Sequence, residues 1–452
     1  MKSTSLEIIE DLKKAGYEAY WAGGCVRDML LGIQPKDFDI VTSAKPDDIE
    51  RILDHTIPIG KQFGVILAIK NGHSFEIATF RSDAGYSDGR RPDAVEFTNA
   101  KEDALRRDFT INAMFYDPST EEVMDYVEGQ KDMRDKLVRF IGNPEERIKE
   151  DNLRILRAVR FKNEFDFQYH PDTYQAIKKH VQLIKNISPN RIADELNKTI
   201  MGKNAARAFE ELFEIGALEI IMPELCRLKG LAQPLIYHQE GDVWDHSVQA
   251  LSSLTDEDID SNPLPAEPAS LALKWATVLH DIGKYETFAQ DQERIRYNHH
   301  AEVGSETAKQ ILTRLHFPNK IIDRVYWLIR HHMMIVPLME MPDGRRRHWF
   351  LEPGFEELLE LNRADTVGTK PLDLSLYEKL KLLYRHEIAK LKLMPKNLLS
   401  GKDIMKICNI TEGAKVGEIL KELRDLQLSH ELKTSAEAKQ YLQKKYSSKA
   451  SS

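Results

Sequence analysis

The 452-residue sequence predicts an α+β head followed by an all-α remainder. Helix-like and strand-like patterns alternate through the first 140 residues, and the pattern turns helical from Pro144 to about Leu231. A further helical region beyond Tyr237 carries most of the histidines.

Within the head, Leu6 to Ala15 has helical periodicity, whereas Glu18 to Ala22, Phe38 to Thr42, Val65 to Ile69 and Phe75 to Phe80 are extended. This alternation fits an α/β or an α+β domain. The polar, glycine-containing stretch Ser82 to Phe97 is expected to be a mobile loop. Glu150 to Asn163 and Pro189 to Met201 have the spacing of amphipathic helices. The acidic, proline-rich stretch Asp256 to Pro268 is expected to be a surface loop inside a domain, with a small tail after Lys396. The expected division is a head (1–140), a helical neck and body (141–232), a histidine-bearing domain (233–390) and a tail (391–452).

Composition bounds the function. The hydrophobic fraction is 42%, the charged fraction 30% and the formal net charge -8. Such a chain buries cores readily and is no generic polyanion binder, so any RNA contact must be local. Arg134 to Lys162 supplies a local basic stretch, with a solvated helix face as the alternative reading. Cys25, Cys226 and Cys408 are odd in number and far apart, which indicates neither a disulfide framework nor a thiolate metal site. No run approaches membrane-spanning length and the N-terminus resembles no export signal, so a cytoplasmic protein is expected.

Gly23 and Gly24 join an extended segment to a helix. Glycines there let backbone amides approach a phosphate, while the helix N-terminus and Arg27 add positive potential. Asp37-Phe38-Asp39 follows, and strand alternation places both carboxylates on one face with Phe38 on the other. Like charges so close are tolerable where divalent cations neutralise them, and two such metals can activate a hydroxyl and stabilise a pyrophosphate leaving group. Glu76 is the candidate third carboxylate.

These residues carry a resemblance. Gly23-Gly24-Cys25-Val26-Arg27-Asp28, Leu31-Gly32 and Asp37-Phe38-Asp39 resemble the signature of class II CCA-adding enzymes and bacterial poly(A) polymerases, of the polymerase β nucleotidyltransferase superfamily. Further blocks agree in order: Thr79-Phe80-Arg81 with Asp88-Gly89-Arg90-Arg91-Pro92, Arg106 to Ala113, Glu150 to Phe161, and Ser188-Pro189-Asn190-Arg191-Ile192. The resemblance implies a polymerase β-like head with a mixed sheet, Mg2+ held by Asp37 and Asp39, and CTP, ATP and the tRNA acceptor arm as partners. It further implies nucleotide contacts at Arg107, Asp108, Arg157 and Arg160. Enzymes restricted to adding CC lack the loop element present here as Asp88, Arg90 and Arg91, so addition of the final A is expected.

Asp151 and Arg154 can also be read chemically. On a helix starting near Glu150, Asp151, Arg154 and Arg157 share a broad face and Arg160 lies opposite. A carboxylate accepts from the exocyclic amine of cytosine or adenine, and a guanidinium donates to the neighbouring ring nitrogen. Uracil and guanine reverse both polarities and leave buried groups unpaired, at about 1–3 kcal/mol each. The alternative is a surface ion pair.

In the C-terminal half, His280-Asp281 follows the apolar Leu271 to Leu279, with His246 upstream and Asp365 downstream. Imidazoles with a carboxylate suit a divalent transition metal. With His300 in His-x-x-x-Gly and His332 in His331-His332-Met333, the set resembles the HD phosphohydrolase superfamily. It would hold one metal, or two bridged by Asp281, with a metal-bound water as nucleophile on a phosphoester. The competing reading is a decayed site kept for helix packing.

The leading expectation is a CCA tRNA nucleotidyltransferase. Its rivals are an A-adding enzyme, a poly(A) polymerase and, from a different class, an RNA-binding HD phosphohydrolase with an inactive head.

Overall fold

Helix α1 (Lys2–Lys14) buries Ser5, Ile8, Ile9 and Leu12, the i, i+3, i+4, i+7 stripe that makes it amphipathic. Its Ser5 hydroxyl accepts from the Trp21 indole at 3.0 Å, which seats the helix on the first strand. The computed structural model describes residues 1–85, 94–234, 236, 238–254, 269–291, 294–391 and 395–446. The chain divides into two units, Met1–Pro223 and Glu224–Ser452.

The first unit is built on a seven-stranded mixed sheet. Along the chain come β1 (Ala19–Ala22), α2 (Gly24–Leu30), β2 (Asp39–Thr42), α3 (Pro46–Ile52), β3 (Thr56–Gly60), β4 (Val65–Lys70) and β5 (His73–Thr79). A separate ribbon, β6 (Arg81–Ala84) with β7 (Ala94–Phe97), precedes α4 (Ala100–Leu105), β8 (Phe115–Asp117) and β9 (Glu122–Met124). The sheet order is β3-β4-β5-β2-β1-β8-β9, with β2 and β5 parallel and the other pairs antiparallel. Central position accounts for the burial of β1 and β2 over most of their length.

The stretch expected as a mobile loop, Ser82 to Phe97, is thus corrected at both ends. Its flanks pair as β6 and β7, and residues 86–93, with Asp88, Arg90 and Arg91, lie outside the described residues. The expected acidic loop, Asp256 to Pro268, also lies outside them.

Helices follow the sheet: α5 (Gly129–Arg134), α6 (Pro144–Glu150), α7 (Arg154–Glu164), α8 (Pro171–His180), α9 (Pro189–Ile200) and α10 (Ala205–Glu214). Proline at the first turn starts α6, α8 and α9 where its missing N–H costs nothing. The single helix expected from Glu150 to Asn163 is instead two. Asp151 takes extended angles (φ -147°, ψ 105°), and its carboxylate accepts from the Leu153 amide at 3.1 Å, a local turn that competes with the helical ladder.

Among its described residues, the regular elements of the second unit are helices apart from one ribbon of two two-residue strands. The helices Val243–Ser252, Leu271–Leu279, His300–Arg314, Asn319–His331 and Phe355–Gly368 hold the histidine-bearing part. Towards the C-terminus, Gly401–Cys408, Ala414–Leu428 and Ser435–Tyr446 share an apolar cluster that includes Ile404, Ile419, Leu423 and Leu442.

Candidate active site and candidate metal centre

The antiparallel register of β1 and β2 sets Ala22 opposite Asp39, so the Gly23-Gly24 turn and the acidic pair emerge at one end of the sheet. Gly23 has φ +70°, and a Cβ there would lie 3.2 Å from the Arg107 guanidinium. Asp37 and Asp39 are exposed to a cavity of about 920 Å³ while Phe38 between them is buried against Trp21, with ring centroids 4.9 Å apart. The predicted alternation therefore holds.

Glu76 lies outside the lining of that cavity but beside Asp39, because parallel β2 and β5 pair Ile40 with Ile77. The Asp39 carboxyl is pushed up to about 6, first by burial, then by the charge of Glu76, with Arg107 pulling the other way. Burial and the Asp39 charge also push the Cys25 thiol up to about 12. Carboxylates grouped this closely form a donor set suited to a hard divalent cation such as Mg2+.

Arginines line the same cavity. Arg27, on α2, is buried, donates to Asn112 at 2.6 Å and Asp28 at 2.7 Å, and stacks 4.4 Å over the Phe165 ring. Arg107 is held by Asp103 rather than by the adjacent Asp108. Asp108 instead accepts from Arg157 at 2.8 Å, so the two neighbours form no ion pair of their own. Burial pushes the Asp108 carboxyl up, but the charges of Arg157 and Arg154 outweigh it and hold the group below its ordinary value. The guanidiniums of Arg27, Arg157 and Arg160 surround the Phe161 ring at 5.3, 5.2 and 4.1 Å.

Arg160 lines the same cavity as Asp151, Arg154 and Arg157, which corrects its expected place on the opposite side. The expectation counted helical turns from Asp151, which precedes the helix. Asp151 and Arg154 are each braced by other side chains. Arg191 donates to Asp151 at 2.7 Å, while Arg154 donates to Glu150 at 2.6 Å and to the Arg147 carbonyl at 2.8 Å. Within the basic stretch from Arg134 to Lys162, several side chains are engaged in ion pairs. Arg139 pairs with Asp132, Arg147 with Glu150, Arg160 with Glu195 and Lys162 with Glu211.

In the second unit, all six expected ligands converge. The Nε2 atoms of His246 and His280 are 3.3 Å apart, and those of His300 and His332 3.1 Å apart. Asp281 reaches both pairs, 3.2 Å from His280 and 3.5 Å from His300, while Asp365 lies 2.9 Å from His246. Behind the rings, Nδ1 of His280, His300 and His332 meets the carbonyls of Thr277, Tyr297 and Ile329 at 2.7–2.8 Å. That network places a proton on each Nδ1 and turns the Nε2 atoms towards one another, a donor set that a metal ion would satisfy in place of any second proton.

Gly283 makes the convergence possible. A Cβ there would run into the His300 carbonyl oxygen and the amide of Gly304, so the turn after Asp281 can press against the His300 helix. Electrostatics divide the rings. The Asp281 charge outweighs burial and lifts His280 to about 10, whereas burial and the charges of His280 and His300 push His332 down to about 4. His299 is exposed and His331 packs against Trp327 and Trp349, so neither joins the set.

Several supporting residues escaped the sequence reading: Asp103, Glu150 and Arg191 at the first site, and Glu240 (3.2 Å from His246 Nδ1) and Lys284 (2.6 Å from Asp281) at the second. Asp103 and Lys284 stand at i,i+3 or i,i+4 spacing from their partners, a signal present in the sequence. Arg191 and Glu240 are set by long-range packing or loop geometry.

Comparison with known proteins agrees with this anatomy. Residues 19–139 match the family described as the poly A polymerase head domain, 166–229 that described as a probable RNA and SrmB-binding site of polymerase A, and 243–365 the HD domain. The CCA-adding enzyme of Ligilactobacillus salivarius is 43% identical over 211 residues, 46% of this chain and 52% of that protein. That of Staphylococcus saprophyticus is 42% identical over 219 residues, 48% and 55% respectively. The chain thus spans about half the length of the curated relatives it matches. Among solved structures, the Bacillus stearothermophilus CCA-adding enzyme in complex with CTP aligns with 99% of this chain and 98% of its own at 27% identity and a TM-score of 0.70. The Thermotoga maritima CCA-adding enzyme complexed with tRNA shares the fold, with a TM-score of 0.58 at 21% identity over 97% of this chain and 94% of its own. The chain belongs to the family of CCA-adding enzymes and bacterial poly(A) polymerases, with a polymerase β-like head and an HD domain in its C-terminal half.

Proposed function

We propose that the chain adds C, C and A to the 3′ end of a tRNA, using CTP and ATP. One observation carries this reading: the Asp37 and Asp39 carboxylates, the Gly23-Gly24 turn and the Asp151–Arg154 pair all face one cavity. The likeness to enzymes solved with CTP and with tRNA supports it.

The RNA 3′-hydroxyl attacks the α-phosphate in line, forming a new P–O bond as the bond to the bridging oxygen breaks and pyrophosphate leaves. The Gly23-Gly24 amides, Arg27 and Arg107 hold the triphosphate, Asp108 meets the ribose, and Arg157 and Arg160 add nucleotide contacts. Asp37 and Asp39, with Glu76 as the third carboxylate, are the residues that would hold Mg2+, which supplies Lewis-acid activation and charge neutralisation. Asp151 and Arg154 read the amine and ring nitrogen shared by cytosine and adenine, and their braces limit how far either can swing to accept uracil or guanine. Asp88, Arg90 and Arg91 belong to the reading through the family resemblance and serve addition of the final A.

The HD residues His246, His280, Asp281, His300, His332 and Asp365 would hold a divalent transition metal suited to phosphoester hydrolysis. Functional segments at 1–140, 141–232, 233–390 and 391–452 accompany this reading, as does a cytoplasmic location. Among the described residues, no helix is long and apolar enough to cross a membrane.

The test is to sequence the 3′ termini formed from a tRNA lacking its last three nucleotides. With CTP alone two C should be added, and with CTP and ATP the full CCA. Ends without added C despite supplied CTP would leave only the A-adding or an inactive reading, and long A tracts would make the chain a poly(A) polymerase.

A further inference from the structure

Asp103, on α4, is fully buried and lies outside the cavity lining, yet its carboxylate accepts five hydrogen bonds. Oδ1 accepts from Arg106 Nε and NH2 at 2.9 and 2.6 Å and from the Arg81 amide at 3.2 Å. Oδ2 accepts from Arg107 Nε and NH2 at 3.1 and 3.0 Å. One carboxylate therefore grips two consecutive arginines, each through the Nε–NH2 edge of its guanidinium.

That grip determines which edge of Arg107 is presented to the cavity. With Nε and NH2 occupied by Asp103, NH1 points at the phosphate turn, 3.2 Å from where a Gly23 Cβ would stand, and donates weakly to the Asn112 carbonyl at 3.4 Å. The Phe115 ring, 5.1 Å from the guanidinium carbon, supports it. The other arm ties the same carboxylate to the ribbon. Arg106 donates to the Arg81 carbonyl at 2.9 Å and pairs with Asp83 at 3.4 Å. A buried charge is costly unless opposite charges and hydrogen bonds compensate it. Here the charges of Arg107 and Arg106 more than offset burial and keep the carboxyl ionised below its ordinary range.

We propose that Asp103 is a positioning residue for triphosphate binding, fixing Arg107 so that its NH1 edge meets the phosphates beside Gly23. The inference rests on the cavity being the nucleotide site. Because Asp103 acts on the phosphates and not on the base, its loss should weaken every triphosphate alike, with KM rising and kcat at saturation little changed.

The experiment measures equilibrium binding of CTP, ATP and inorganic tripolyphosphate to the full chain and to Asp103→Asn, Arg107→Met and the double variant, with a melting curve for each. Asp103→Asn should weaken all three ligands by the same factor, roughly tenfold, since charge-assisted bonds are replaced by neutral ones. In the Arg107→Met background it should cause no further loss, because the two residues act as one unit. Wild-type affinity for tripolyphosphate in folded Asp103→Asn, or losses that simply add, would overturn the inference. If Asp103→Asn does not fold, Asp103→Glu, which keeps the charge but displaces the grip, decides in the same way. A wild-type chain that binds no triphosphate would instead defeat the reading of the cavity.

Discussion

Asp39, the first residue of β2, stands beside Glu76 in the middle of parallel β5, one step before the Ile40–Ile77 pair. Burial and this neighbour raise the Asp39 carboxyl to about 6. A raised carboxyl is protonated below that pH, so protons compete with a cation from pH 6 downward rather than from the ordinary range near 4. Mg2+ affinity should therefore fall roughly tenfold between pH 7 and pH 5, as read by calorimetry in the absence of nucleotide. Glu76→Gln removes a charge that raises Asp39 and should move the midpoint to lower pH. An affinity flat across this range would contradict the coupling.

Base choice should depend on the braces as well as on the readers. Arg154→Met should cut the preference of CTP over UTP by about 5- to 150-fold, the equivalent of one buried group left unpaired. Arg191→Met, which frees the Asp151 carboxylate but leaves both base-reading groups in place, should cut it by less. Ratios of kcat/KM for the two nucleotides measure both effects, and an unchanged ratio in Arg154→Met would remove the pair from base selection.

At the HD centre, Asp281 reaches both histidine pairs, whereas His332 belongs to one. Asp281→Ala should accordingly lose more bound metal than His332→Ala when dialysed protein is analysed by plasma mass spectrometry. Wild-type metal content in Asp281→Ala would favour a cluster kept only for helix packing.

Much of the first site was legible because its chemistry lies in short-range spacing. Asp37-Phe38-Asp39 alternates as a strand requires, and the apolar stripe of α1 is continuous in sequence. The failures share a cause. Asp151 has helical neighbours on both sides, but its carboxylate captures the Leu153 amide and starts α7 at Arg154, shifting the angular count for Arg160. Periodicity carries no information about such a side-chain capture. Nor does it reveal that Arg191, forty positions away, holds Asp151. The histidines were legible as a set through their resemblance to a known family, whereas the close approach of Gly283 to the His300 helix that lets them meet appears only in three dimensions.

The most direct measurement of the central claim is the rate of CTP incorporation into a tRNA lacking its CCA end by Asp37→Asn and Asp39→Asn. Each variant should melt close to the wild type, since both side chains line the cavity rather than a packed core, yet extend the RNA roughly 100-fold more slowly or worse. Extension at the wild-type rate by either variant would contradict the account.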